Sequence, residues 1–439
     1  MKNVIKRIIQ YSGIFIMVLI LLLGLLLTTM KIPKAAIEDN LKESAKDFEK
    51  RHMVHIIQKN REYTYLHLYS ESALLNIIYC VDTNDVLKSA MLDRYYESTV
   101  PDMNKDFVKV VTNNEEPNTQ YLRYWHGSMI ILRPLLTVLS FQQIIILNYI
   151  IINILFIALF VLLLKKSKKL ALLFVISMLI IAFPIVAISP FYSWTFYIML
   201  IASIIAILIE KKGDSALYKL FFITGMVTCF FDFLTTEIIT LFVPMLLVLF
   251  LRKEREEKFD FKKAFKFVFI SSLLWGISYV AMFAAKWLLA SIVLQTNAME
   301  FVTDNLKLRI NGADAGIPLK QMYLEVIPLN FYTLYPICNI KRTAKRIKLL
   351  IGFALICLLL IDWKNIKKKK FSLLMLLIAI IPYLRYIALV NHSLRHYFFT
   401  YREQIITIIA IGMILIDCFN YKLWFKEIRM KRRKDNKDG

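Results

Sequence analysis

About ten long apolar runs alternate in this chain with polar stretches of uneven basic density, and no other feature limits the fold as strongly. A bilayer core of about 30 Å is crossed by about 20 apolar residues in helical form. Runs such as residues 13–30 and 144–164 reach that length. They show no strict alternation, so helices rather than a closed barrel are expected. Hydrophobic residues fill 58% of the 439 positions, above the roughly 45–50% of a soluble domain. The expected fold class is an all-α membrane protein with about ten transmembrane helices and a long extracytoplasmic first loop containing interfacial helices.

The formal net charge of +23 is placed at the ends of the apolar runs, in residues 165–169, 252–263, 364–370 and 426–437. Short basic loops mark the cytoplasmic side during insertion and meet anionic head groups there. Membrane lipid is therefore an expected partner. Nucleic acid is not, because no recognition motif accompanies the charge.

These markers divide the chain. Residues 1–30 read as an N-terminal signal anchor, retained because the apolar run ends without a small-residue cleavage pattern. Residues 31–140 form an extracytoplasmic loop with interfacial helices, in which 35–60 reads as helical and 63–96 as an amphipathic helix broken near Asp82 and Asp85. Residues 141–425 form a polytopic bundle with a second outer loop at 285–346, and 426–439 form a basic cytoplasmic tail. Spans are expected near residues 12–30, 142–164, 170–189, 191–209, 216–233, 235–251, 264–284, 347–363, 371–390 and 403–420. Both termini then face the cytoplasm. The basic stretch 341–348 falls on the wrong side in this scheme, so 324–340, with Pro328 and Pro336, is read as re-entrant or interfacial. The five cysteines, at 80, 229, 338, 357 and 418, show neither CxxC nor metal-ligand spacing.

Read through this topology, the polar singletons gather on the outer face. Asp82 and Asp85 are three apart and would share one face of a helix, as a general base or as oxygen ligands for a divalent cation. The plain alternative is a solvated turn, which Asp and Asn favour. His126 follows Tyr124 and Trp125 at the start of a short apolar stretch, and Arg133 lies seven residues on. An interfacial aromatic belt explains the first group, and phosphate recognition or snorkelling explains the arginine. Asp232, between aromatics at an outer hairpin with Glu237, is either a turn residue or a membrane-level functional acid. His392 and His396 stack at helical spacing and are followed by Arg402. They suit phosphate better than zinc, since no HExxH pattern is present, or else form an exposed aromatic turn. Lys286 and Trp287 read as interface anchors.

A single anchor, a long outer loop with acids, and a multi-helix bundle resemble the membrane glycosyltransferases of the GT-C superfamily. The strings Tyr-Trp-His-Gly (124–127), Asp-Phe-Leu-Thr (232–235) and His-Ser-x-x-His-x-Phe-Phe-Thr-Tyr-Arg (392–402) also resemble a group of multi-spanning proteins of Gram-positive bacteria. The resemblance implies a bacterial plasma membrane and transfer of a sugar from a polyprenyl-phosphate donor to a cell-envelope acceptor outside. A first-loop Asp, here Asp82 with Asp85, would act as catalytic base or hold a divalent cation. His126, Arg133, Asp232, His392, His396 and Arg402 would meet the substrate and its phosphate. The rival expectations are a transporter or flippase of anionic or lipid-linked substrates, and a non-catalytic scaffold.

Overall fold

In the computed structural model, the described residues are 2–256, 258–298, 316–335 and 370–418, with residues 300, 303, 307, 337, 348, 352 and 355 between them. Helices dominate them. Seven helical stretches are long and apolar enough to cross a membrane: Val4–Met30, Phe141–Lys166, Pro190–Lys212, Asp214–Phe231, Phe261–Leu294, Lys370–Ala388 and Tyr397–Cys418.

The count of ten is not reached among the described residues, for reasons visible in the chain. The run near 170–189 is divided: α8 (Lys168–Ile180) ends, Ala182 takes a left-handed φ of 56°, and α9 (Phe183–Ala187) restarts on Pro184. The run near 235–251 is α12 (Ile239–Arg255), 17 residues with Pro244 inside, which spans only about 26 Å. Every side chain from 239 to 251 is buried, because a helix apolar on all faces belongs at the centre of a bundle. Apart from residues 348, 352 and 355, the expected span at 347–363 and the basic stretch 341–348 lie outside the described residues, as does the tail 426–439. The 324–340 stretch is helical to Thr333, in α14 (Leu319–Thr333), and turns at residues 334–335.

The remaining bundle helices are α1 (Lys2–Met30), α7 (Phe141–Lys166), α10 (Pro190–Ile209), α11 (Asp214–Phe231) and α13 (Phe261–Leu294). The chain closes with α15 (Lys370–Ala379), α16 (Ile381–Ala388), α17 (Val390–Arg395), α18 (Tyr397–Thr400) and α19 (Ile405–Cys418). The largest contact joins α11 to α13. It depends on Gly225, where a Cβ would overlap the Trp275 carbonyl and the Ser278 hydroxyl. At 34 residues α13 is about 51 Å long. It therefore continues ten residues beyond the expected exit at 284 and carries Lys286 and Trp287 on its last turns.

Residues 31–140 build a cap on one end of the bundle. Its helices are α2 (Lys34–Glu49), α3 (Tyr69–Tyr79), α4 (Val86–Leu92), α5 (Met103–Asn113) and α6 (Met129–Leu135). Ile37, Leu41 and Phe48 of α2 bury against Phe107, Val110 and Val111 of α5, and Phe48 meets the Phe107 ring at 5.4 Å. The expected helix over 35–60 stops at Glu49. The β-branched and His-rich residues that follow form β1 (Val54–Ile56), paired antiparallel with β2 (Tyr65–His67). A second short pair joins β3 (Arg94–Tyr95) to β4 (Thr119–Gln120). The expected break near residues 82–85 separates α3 from α4.

The opposite end of the bundle is basic and laced by ion pairs: Arg252 with Asp214 at 2.8 Å, Lys253 with Asp417 at 2.7 Å, and Arg255 with Glu210.

Candidate functional site

Polar side chains converge where the cap meets the bundle, in three neighbouring groups linked by aromatic rings. The first is a buried tie between cap and α13. The α4 helix ends on Asp93, which is left-handed at φ 46°, a conformation Asp tolerates better than most residues. Its Oδ2 lies 2.8 Å from Lys286 Nζ and 3.0 Å from His126 Nδ1. Lys286 also donates to the Ala90 carbonyl. All three side chains are sealed from solvent. Trp125 Nε1 donates to the Met282 carbonyl at 2.9 Å, and Gly127 N to the Phe230 carbonyl at 3.0 Å. The cap is therefore fastened to α11 and α13 by side chains and backbone together.

Arg133 serves the same assembly. Fully buried on α6, its guanidinium donates to the Ile78 carbonyl and, at 2.6 Å, to the Ile32 carbonyl. Two carbonyls are its acceptors among the described residues, and its Nε donates to neither.

The second group forms around residues 232–237. Leu234 takes φ 63°, which costs a residue with a Cβ about 1–2 kcal/mol. That turn presents its carbonyl to Arg385 at 2.8 Å and to His392 Nε2 at 2.7 Å. Arg385 also grips both Glu237 oxygens, at 2.9 and 3.1 Å, and lies 3.1 Å from Glu403. Asp232 accepts from the Thr235 backbone at 3.2 and 3.1 Å and from the Thr235 hydroxyl. It is buried, and among the described residues no cation lies within ion-pair distance of it.

The third group surrounds Arg402. This residue is 1% exposed, stacks on the rings of Tyr192 and Tyr401 at 5.1 and 4.7 Å, and donates once, to the Phe398 carbonyl at 3.0 Å. Among the described residues its Nε and second terminal nitrogen donate no hydrogen bond. His67 stacks on Phe398 at 3.4 Å, and burial, reinforced by the Arg402 charge, pulls its pKa down to about 4. Glu71 accepts from Ser189 Oγ at 2.6 Å, and burial pushes its carboxyl up to about 7 despite that bond. Phe191 and Phe399 connect this group to the others: Phe191 meets Phe233, which meets His126, and Phe399 meets His392 and His396.

The buried Glu71 gives the protein a pH dependence whose direction is set by desolvation. Between the ordinary value of 4.5 and about 7, the folded state holds a proton that the unfolded state has released. Stability therefore falls as pH rises across that window, and the loss is complete above it. Glu71→Gln is expected to flatten this part of the thermal-unfolding profile and to match or exceed the unsubstituted protein near pH 8. A variant that is less stable there while keeping the same slope would contradict the assignment.

Asp82 and Asp85 stand apart from these groups, exposed on the cap. They do not share a helical face. Asp82 closes a turn by accepting from Asn84 N at 2.9 Å, and Asp85 caps α4 by accepting from Lys88 N at 3.1 Å. Both lie at the mouth of a cavity of about 360 Å³ that also involves Lys34, Arg94 and Glu115. The structure thus brings Asp232, His392, His396 and Arg402 to one junction, holds His126 beside it, and leaves the two cap acids at a separate, water-facing opening.

Five members of the three groups, Arg385, Glu403, Asp93, His67 and Glu71, are not singled out by the sequence. Arg385 and Glu403 carried a usable signal, since each is a charge within or beside an expected span, where charge is costly. His67 and Glu71 sit among ordinary loop residues and carried none. Among the described residues no group of three His, Cys, Asp or Glu side chains is arranged to hold a metal ion.

Multi-pass helical architecture with a cap packed over one end defines the class: a polytopic α-helical membrane protein that contacts membrane lipid. No protein-family model, curated protein or solved structure matches the chain.

Proposed function

We propose that the protein is a GT-C-like membrane transferase. On this reading it moves a sugar from a polyprenyl-phosphate donor to a cell-envelope acceptor at its capped end, outside a bacterial plasma membrane. The observation that carries the reading is Arg402, a buried guanidinium with two nitrogens undonated among the described residues and no carboxylate at ion-pair distance. Such a cation is costly to bury unless an anion completes it. A planar fork of donors suits a phosphate.

Supporting features surround it. His392 and His396 stand beside Phe399, three residues from Arg402, within reach of the same ligand. An apolar groove of about 350 Å³, lined by Leu132, Ile151, Trp194, Tyr197 and Phe231, opens between α7 and α10 and suits an isoprenoid chain. Its wall ends at Phe231, next to Asp232, the buried acid with no cation at ion-pair distance among the described residues. Asp232 is thereby a better placed candidate base than Asp82 or Asp85, which the reading assigns to the entry of a polar acceptor or of a divalent cation.

Arg402→Gln is expected to weaken binding of a polyprenyl-phosphate sugar by about 10- to 100-fold, because a hydrogen bond to a charged group contributes roughly 1.5–3 kcal/mol. Binding would be measured on purified protein in detergent, and transfer in proteoliposomes with and without magnesium, manganese or chelator. Arg402→Gln protein that binds the donor as tightly as the unsubstituted chain would remove the phosphate assignment. Movement of the donor between leaflets without sugar release would favour a flippase.

A further inference from the structure

A second opening lies at the basic end, remote from the junction. Between the N-terminal half of α1 and the facing sides of α11 and α13 there is a cavity of about 1030 Å³. It exists because α1 stands away from the bundle there. Tyr11 still meets the Phe222 ring at 4.9 Å, while Val4, Ile5, Ile8 and Ile9 are more than half exposed.

The cavity is amphipathic in a particular order. Arg7, Lys263 and Lys266 line its polar end. The one acid in its lining, Asp214, is already engaged by Arg252 at 2.8 Å. Among the described residues no carboxylate lies within ion-pair distance of the three cations. Away from them the walls turn apolar, through Phe15, Phe222, Ile270, Leu274 and Ile277, along helices long enough to cross a membrane.

We propose that this groove binds an anionic phospholipid of the leaflet at the basic end. Its phosphate sits among Arg7, Lys263 and Lys266, and an acyl chain lies along α13 toward Ile277 and Ala281. Charge selects the occupant. Three cations with no carboxylate at ion-pair distance among the described residues line the end where a head group would lie, and basic residues attract anionic lipid head groups. The hydrocarbon walls then separate a lipid from a soluble anion, because only a lipid fills both ends. The volume, at the upper limit of ordinary ligand cavities, accommodates a head group with part of one chain.

The test uses delipidated full-length protein in detergent, with phosphatidylglycerol or phosphatidylcholine of identical chains added back. Retained lipid is counted by native mass spectrometry, and the unfolding midpoint is followed. Phosphatidylglycerol is expected to be retained and to raise the midpoint, and phosphatidylcholine to do neither. The triple variant Arg7→Gln, Lys263→Gln, Lys266→Gln is expected to lose at least about tenfold in phosphatidylglycerol affinity. Lys165→Gln with Lys166→Gln, exposed cations outside the groove, should leave it unchanged. Ala281→Trp, which fills the apolar slot and keeps the cations, should also lower retention. Equal response to the two lipids, or unaltered retention by the triple variant, would overturn the proposal. So would glycerol phosphate alone reproducing the full shift, since that would mark a free-anion site.

Discussion

Arg385→Ala is expected to be the most damaging single substitution at the junction. Removing one partner of a buried ion pair costs about 3–5 kcal/mol, because the other charge is left uncompensated. Here one guanidinium faces two acids, Glu237 and Glu403, and also holds the Leu234 carbonyl and the Ser393 hydroxyl. The loss should therefore reach the upper part of that range. Loss of the monodisperse folded peak in detergent, together with a large drop in the unfolding midpoint, is the expected readout. Arg385→Lys keeps the charge without the fork and should fall between the two. Combining Arg385→Met with Glu237→Gln and Glu403→Gln should recover most of the loss, since the stranded charges are gone. A single Arg385→Ala variant with an unchanged midpoint would mean that the three groups do not form the cluster described.

Lys286→Met should come second. Among the described residues it leaves Asp93 buried with only His126 at ion-pair distance, again at a cost of about 3–5 kcal/mol. The location makes the effect local. Asp93 ends α4 in the cap and Lys286 belongs to α13, so cap opening should precede global unfolding. Backbone amides of residues 86–95 should exchange faster in the variant than those of α12. Asp93→Asn in the Lys286→Met background should restore much of the protection, giving a double-mutant coupling of about 0.5–3 kcal/mol. Additive effects of the two substitutions would show that the pair is incidental.

The two substitutions differ in what could be foreseen. Lys286 stands out in the sequence because a lysine near the end of an apolar run needs a reason, and snorkelling is the local one. Its burial and its partner were not legible, since Asp93 lies 193 residues earlier in an unremarkable part of the loop. Arg385 carried a stronger signal, a charge well inside an apolar run, yet nothing nearby indicated Glu237 or Glu403. Asp82 and Asp85 behaved oppositely. Their turn and cap chemistry is decided within three residues, so the local alternative could be stated from the sequence alone and is the geometry found. The same locality explains the misjudged helix ends. The length of α13 past residue 284 and the break at Ala182 depend on what packs against them, which hydropathy does not encode.

By itself the sequence determined the helical membrane class, the approximate course of most long helices and the basic character of their ends. Each of these follows from the transfer free energy of contiguous segments, which sums along the chain and needs no knowledge of distant residues. Only the tertiary structure decided which polar groups are paired and which are not. It closed Asp93 onto Lys286 and His126, turned Arg133 toward two carbonyls, clamped Glu237 with Arg385, and left Arg402 with two nitrogens undonated among the described residues. Pairing energies fall off within a few ångströms. They are set by contacts between residues tens to hundreds of positions apart, and so come into being only when the helices pack.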